Sequence, residues 1–285
     1  MAMDRRGFLK AVGTGFAGVA GATFPMRKVM ANEQGGSAEF MGVLADTTRC
    51  AGCRTCELTC AETNGLPAPE ITDADFERER KTSVTQYTVV NRYNTEQGEV
   101  FVKKQCMHCN QPGCASACLV KAMQKRKEGP VTWDTNCIGC RFCMVSCPYD
   151  IPKFEYDSAN PKVQKCSLCW EKRVKNGQPP ACVEACPGEA LFFGTRRAVI
   201  DEAYKRIYTE PKKYVHHIYG ENEAGGSSWL YLSAVPFEQI GFKTDIGTTP
   251  YPTYSASFLY AVPIILILWP PLLTAMSRIT KREQE

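Results

Sequence analysis

No Cys-x2-Cys pair in this chain is followed by histidine. The residues in that position are Arg54, Glu57, Asn110, Arg141, Met144 and Trp170, which excludes covalent c-type haem attachment. Excess charge of one sign is scarce as well. A formal net charge of +4 over 285 residues is too mild to argue for a nucleic-acid partner. No Asp, Glu, Lys or Arg occurs from Ile246 to Ser277. Nor is there room for a strand before Gly13-Thr14-Gly15-Phe16-Ala17-Gly18. That run matches the dinucleotide fingerprint letter for letter, but the fingerprint has meaning only inside a βαβ unit. Finally, no cysteine stands outside a group of four.

The sixteen cysteines are what the chain does have. Cys50-x2-Cys53-x2-Cys56-x3-Cys60 and Cys137-x2-Cys140-x2-Cys143-x3-Cys147 carry the bacterial ferredoxin spacing, and Pro148 follows the second of them. Cys106-x2-Cys109-x4-Cys114-x3-Cys118 and Cys166-x2-Cys169-x12-Cys182-x3-Cys186, with Pro187 after it, are stretched versions. Ala61 and Leu119 stand where the pattern expects proline. Four thiolates hold one [4Fe–4S] cluster, so four groups imply four clusters, and a row of clusters conducts single electrons. In two-cluster ferredoxins the fourth cysteine of a run ligates the other cluster, so groups must work in pairs. Gly52, Gly113 and Gly139 let the backbone approach the sulfurs, where N–H groups raise the reduction potential. Zinc is the competing metal, although its motifs take ligands two and two across a spacer. Disulfides fit an even count but not neighbours two residues apart.

Both ends carry addresses. Arg5-Arg6 precedes a glycine-rich apolar run from Ala11 to Phe24. This reads as a Tat export signal over residues 1–31, with Glu33 to Ser37 a flexible leader. Asp4 stands where Ser or Thr is commoner. At the other end, Phe258 to Met276 is strongly apolar. Nineteen residues at helical rise span about 28 Å, close to the hydrocarbon thickness of a bilayer. Residues 255–277 are therefore expected to be a transmembrane anchor. Arg278, Lys281 and Arg282 would hold the tail 278–285 in the cytoplasm, leaving the cysteines on the periplasmic face of the cytoplasmic membrane.

Between these ends, residues 38–200 are expected to form the cluster domain, with an insertion at 61–105, and 201–254 an extension toward the membrane. Thr85 to Val102 reads as a β-hairpin turning around Asn94 to Gly98. Short strands are expected at Gly129 to Trp133 and Ala190 to Phe193, and a short helix at Asp201 to Tyr208. Little regular structure is expected elsewhere, so folding should depend on the metal. Arg54, Lys104, Arg141 and Lys165 stand near ligands and could tune potentials, but a solvated surface place is expected for each. His108 is read as structural, and His216 and His217 as surface-loop residues.

The chain resembles the iron–sulfur electron-transfer subunits that serve molybdopterin oxidoreductases and membrane-bound hydrogenases. Within that group it resembles the HybA-type subunit of periplasmic nickel–iron hydrogenase. Three stretches carry the likeness: Lys103 to Cys109, Cys140 to Tyr149, and Tyr219-Gly220-Glu221 before Gly225-Gly226. The resemblance implies an α+β fold of two ferredoxin-like halves in pseudo-twofold arrangement, holding four clusters, plus the C-terminal transmembrane helix. It implies that Cys50, Cys53, Cys56 and Cys186 hold one cluster and that Cys60, Cys166, Cys169 and Cys182 hold the second. Cys106, Cys109, Cys114 and Cys147 would hold the third, and Cys118, Cys137, Cys140 and Cys143 the fourth. The implied role is electron relay between a periplasmic catalytic subunit and an integral, quinone-reactive membrane subunit, with no active site of its own. Two alternatives stand beside it: the relay of a molybdopterin enzyme such as formate dehydrogenase or a polysulfide or nitrate-type reductase, and a structural zinc-binding membrane adaptor.

Overall fold

The computed structural model describes residues 39–159 and 161–282. The export segment 1–31 and the leader Glu33 to Ser37 lie outside the described residues. The chain divides into a body, Ala38–Tyr254, and a C-terminal segment beginning at Ser255. In chain order the elements are β1 (Met41–Asp46), α1 (Thr55–Asn64), β2 (Val89–Thr95), β3 (Gly98–Lys104), α2 (Gly113–Ser116), β4 (Met123–Lys125) and β5 (Val131–Trp133). There follow α3 (Phe142–Val145), β6 (Lys153–Phe154), β7 (Val163–Gln164), α4 (Ala181–Glu184), β8 (Leu191–Thr195), α5 (Arg196–Thr209), β9 (Trp229–Leu232) and α6 (Tyr251–Arg282).

A three-stranded sheet in the order β8-β1-β9 supports the body. β1 runs antiparallel to β8, with Val43 opposite Phe193, and parallel to β9, with Val43 opposite Trp229. Side chains alternate across a strand, so β1 serves two layers. Leu44, Leu230 and Leu232 meet Val199, Ala203 and Ile207 of α5, whose four-residue spacing puts them on one helical face. Thr195 caps that helix by accepting from the Ala198 N–H at 3.3 Å. Val43, Ala45, Trp229 and Tyr231 pack the other way, against Val102, Met107, Leu168 and Cys182. One face of the sheet is thus covered by a helix and the other by cysteine loops.

The hairpin is formed by β2 and β3, with Thr95 opposite Gly98 across a two-residue turn. β5 and β8 overlap the expected short strands, while α5 begins five residues before Asp201. The expectation of little other regular structure is corrected by β1, α1 and β9. Residues 201–254 supply β9 to the central sheet, so they fold within the same body as the cysteine groups.

The insertion is bound to the body by buried charge. The Glu57 carboxylate accepts from Arg54 at 3.2 Å, from Arg80 at 2.6 Å and from the Val90 N–H at 2.6 Å. Arg54 also reaches Asp75 at 2.8 Å. These bonds tie α1 to the 70–80 loop and to β2.

The C-terminal helix α6 contains Pro263, Pro270 and Pro271. Within its stretch Tyr251–Lys281 an 18-residue window reaches mean hydropathy 2.0, and this is the one helix among the described residues long and apolar enough to cross a membrane. Its apolar side chains, including Ile264, Leu266 and Trp269, are exposed, as suits lipid rather than water.

Candidate metal centres

The four cysteine groups share a backbone plan. The residue before the second cysteine is left-handed in each: Gly52 at φ 68°, His108 at 50°, Gly139 at 71° and Leu168 at 57°. For a non-glycine residue this costs on the order of 1–3 kcal/mol, and His108 and Leu168 are both held in it by near-complete burial. The turn aims an N–H at the first cysteine. Leu168 donates to Cys166 Sγ at 3.3 Å and Gly139 to Cys137 Sγ at 3.5 Å. At Gly52 an added Cβ would lie 2.5 Å from the Phe101 ring, so glycine is required there.

In groups two to four the third cysteine sits in a four-residue helix, Cys114 in α2, Cys143 in α3 and Cys182 in α4. The fourth cysteine is followed by a repeated turn. Lys121, Asp150 and Glu189 are left-handed and donate to the carbonyls of Cys118, Cys147 and Cys186 at 3.2, 3.2 and 3.3 Å. Group one departs from this plan, with Cys56 and Cys60 both on the longer α1.

The groups interleave in pairs. Cys50, Cys53 and Cys56 line one cavity with Cys186. Cys166, Cys169 and Cys182 line a second with Cys60, and Cys137, Cys140 and Cys143 line another with Cys118. The remaining four meet as well: burial raises the Cys109 thiol, and the nearby Cys106, Cys147 and Cys114 raise it further. Thiols of successive foursomes also act on one another, Cys56 with Cys182, Cys166 with Cys106, and Cys114 with Cys143. That orders the foursomes in a row, from Cys50/53/56/186 through Cys60/166/169/182 and Cys106/109/114/147 to Cys118/137/140/143.

The donor sets suit clusters better than single ions. Zinc needs four sulfurs, each about 2.3 Å from one centre. Among the described residues no three His, Cys, Asp or Glu side chains come close enough to share one ion. The sulfurs instead stand around cavities, as ligands of a multi-atom group would. Burial pushes the Cys60 and Cys114 thiols up to about 12 and those of Cys143 and Cys147 up to about 11. Loading must therefore expel protons from these sites.

The basic residues correct the expectation of a solvated surface. Arg54 and Lys165 are buried, and Lys104 is largely covered, bonded to Glu79 at 2.5 Å and Tyr93 at 2.6 Å. Arg54 and Lys165 each have one near and one distant partner: Glu57 and Asp75 for Arg54, and for Lys165 the carbonyl oxygens of Cys166, at 2.9 Å, and of Val131. Arg141 is exposed. His108 is buried, and its Nδ1 accepts from the Val131 N–H at 2.8 Å. Burial, with Lys165 and Lys125 near, holds it well below the ordinary histidine range and hence neutral. His216 and His217 are exposed. Sequence reasoning missed Lys103, whose side chain is buried and borders both of the first two foursomes. Strand alternation holds the signal that could have found it, because Lys103 shares a face of β3 with Phe101.

Paired loops around four-sulfur cavities define an iron–sulfur electron carrier. The family described as a 4Fe–4S dicluster domain matches residues 98–196, which enclose groups two to four. A chain of Nitratidesulfovibrio vulgaris (strain Hildenborough) is 46% identical over 293 residues, covering 99% of this chain and 78% of that one. The hydrogenase-2 operon protein HybA of Escherichia coli O157:H7 is 36% identical over 273 residues, covering 84% and 83%. The iron–sulfur subunit of the nitrate-inducible formate dehydrogenase of E. coli K12 is 33% identical over 199 residues, covering 66% of each. The chain belongs to the HybA family of iron–sulfur electron-transfer subunits.

Proposed function

We propose that the four foursomes each hold one [4Fe–4S] cluster. On this reading the chain relays single electrons between a periplasmic nickel–iron hydrogenase and a quinone-reactive subunit in the membrane. The clusters, when bound, supply one-electron storage. The chain's own residues supply the thiolates, N–H donors to sulfur, and a low-dielectric surround that keeps water away. They perform no bond-making chemistry, so the chain has no active site of its own. Residues 1–31 would direct Tat export, 255–277 would anchor the chain, and 278–285 would remain cytoplasmic.

The observation that carries this reading is where the cysteines are exposed. Of the sixteen, only Cys53 and Cys140 are exposed, and they belong to the first and last foursomes of the row. A conductor covered in the middle and open at both ends suits transfer from one partner to another. The likeness to HybA over most of both chains supports a hydrogenase as the catalytic partner. Affinity purification of the full chain from detergent-solubilised membranes tests it. Nickel–iron subunits should co-purify, and hydrogen should bleach the visible absorbance of the complex. Recovery of a molybdopterin subunit instead, with bleaching by its own substrate, would reassign the partner.

A further inference from the structure

We propose that Lys103 is a fixed positive charge shared by the first two cluster sites, holding both at higher reduction potentials than their ligands alone would set. The inference rests on reading those two foursomes as cluster sites. Its side chain borders the Cys50/53/56/186 cavity on one side and the Cys60/166/169/182 cavity on the other. The residue is 5% exposed.

Its charge is not cancelled by a carboxylate among the described residues. The Nζ donates to Gln105 Oε1 at 2.9 Å and stands 4.5 Å from the centre of the Trp229 ring. Both partners are neutral, and both favour an ammonium. The arginines nearby differ: buried Arg54 is taken up by Glu57 and Asp75, and half-buried Arg80 by Glu57. A buried cation without a carboxylate is costly unless negative charge lies close. Here the available negative charge is that of the loaded thiolate sites.

The side chain is also held in place. Gln105 Nε2 donates to Tyr231 Oη at 2.5 Å, and Tyr231 Oη donates to the Lys103 carbonyl at 2.8 Å. The hydrogen bonds therefore close a loop that begins and ends on Lys103, which fixes a long side chain that would otherwise lose its position to rotamer entropy. Adding one electron to either site makes it more negative by one charge. A fixed cation in a low-dielectric surround stabilises that reduced form more than the oxidised form. Lys103 itself gains neither electron nor proton in the exchange.

Redox titration followed by electron paramagnetic resonance, on the full chain loaded with clusters, tests the assignment. Lys103→Met should move two of the four potentials to more negative values and leave the other two in place. Lys103→Arg should keep all four near those of the natural protein. If Lys103→Met fails to load, Lys103→Gln removes the charge while retaining a polar head, and the same two potentials should fall. Unchanged potentials in a fully loaded charge-removing variant, or an equal shift of all four, would overturn the proposal. Failure to load in both variants while Lys103→Arg loads normally would also overturn it, since the charge would then be needed for assembly. The unsubstituted chain reports separately on the underlying reading, through its iron content and its number of reducible signals.

Discussion

Arg54 Nη2 lies 3.2 Å from Glu57 Oε2, and each side chain is about 1% exposed. Glu57 is bonded by a second guanidinium, Arg80, and by a backbone N–H of β2. Removing one member of such a set leaves uncompensated charge in the interior. Glu57→Gln should therefore destabilise the body by about 3 kcal/mol. Loss of visible absorbance against denaturant concentration measures it. A change below about 0.5 kcal/mol, the range of ordinary surface substitutions, would show that the network carries no such energy.

The same network sets an acid limit. The hydrogen bond from Arg54 holds the Asp75 carboxyl below the usual carboxylate range. A depressed folded-state value means stability that is present above the unfolded value of about 3.9. It is lost as pH falls through the folded value. Asp75→Asn should lower stability at pH 7 and flatten its dependence on pH below about 4. Amide exchange across residues 70–80, followed from pH 5 to 3, should report it. Identical pH profiles for the variant and the natural chain would contradict this.

Gly52 and Phe101 form a second dependent pair. A Cβ at Gly52 would press on the Phe101 ring, and the backbone there is left-handed. Gly52→Ala should cost one cluster, about four iron atoms, and the double variant with Phe101→Ala should recover part of that loss. Full iron content in the single variant would show the loop to be more tolerant than its geometry indicates.

The turns of the cysteine loops were legible in the sequence because their information is local. Two-residue spacings oblige the chain to turn, and each turn is completed within a few residues. The β2–β3 hairpin was legible for the same reason, since strand alternation brackets a short turn. β1 and β9 were not. Both are short and covered on both faces, so they lack the alternation that marks a half-buried strand. Their parallel pairing joins Val43 to Trp229, a link that no local pattern announces. Arg54 and Lys165 looked solvent-bound because charge ordinarily is. Besides the neighbouring Glu57 and Cys166, the oxygens that hold them come from Asp75 and Val131, far along the chain.

The helix Tyr251–Arg282 makes a separate prediction. A chain ending at Pro250 keeps the central sheet and every cysteine, so it should load with clusters but leave the membrane fraction under carbonate extraction. Retention in that fraction would mean that another part of the chain or a partner holds it there.

The proposed relay requires all sixteen cysteines to serve clusters. Iron and acid-labile sulfide should be measured on anaerobically purified full-length chain, with reduced spins integrated in parallel. About sixteen iron and sixteen sulfide per chain are expected, with four reducible centres. About four zinc per chain without sulfide, or iron near eight with half the thiols still free to alkylate, would contradict it.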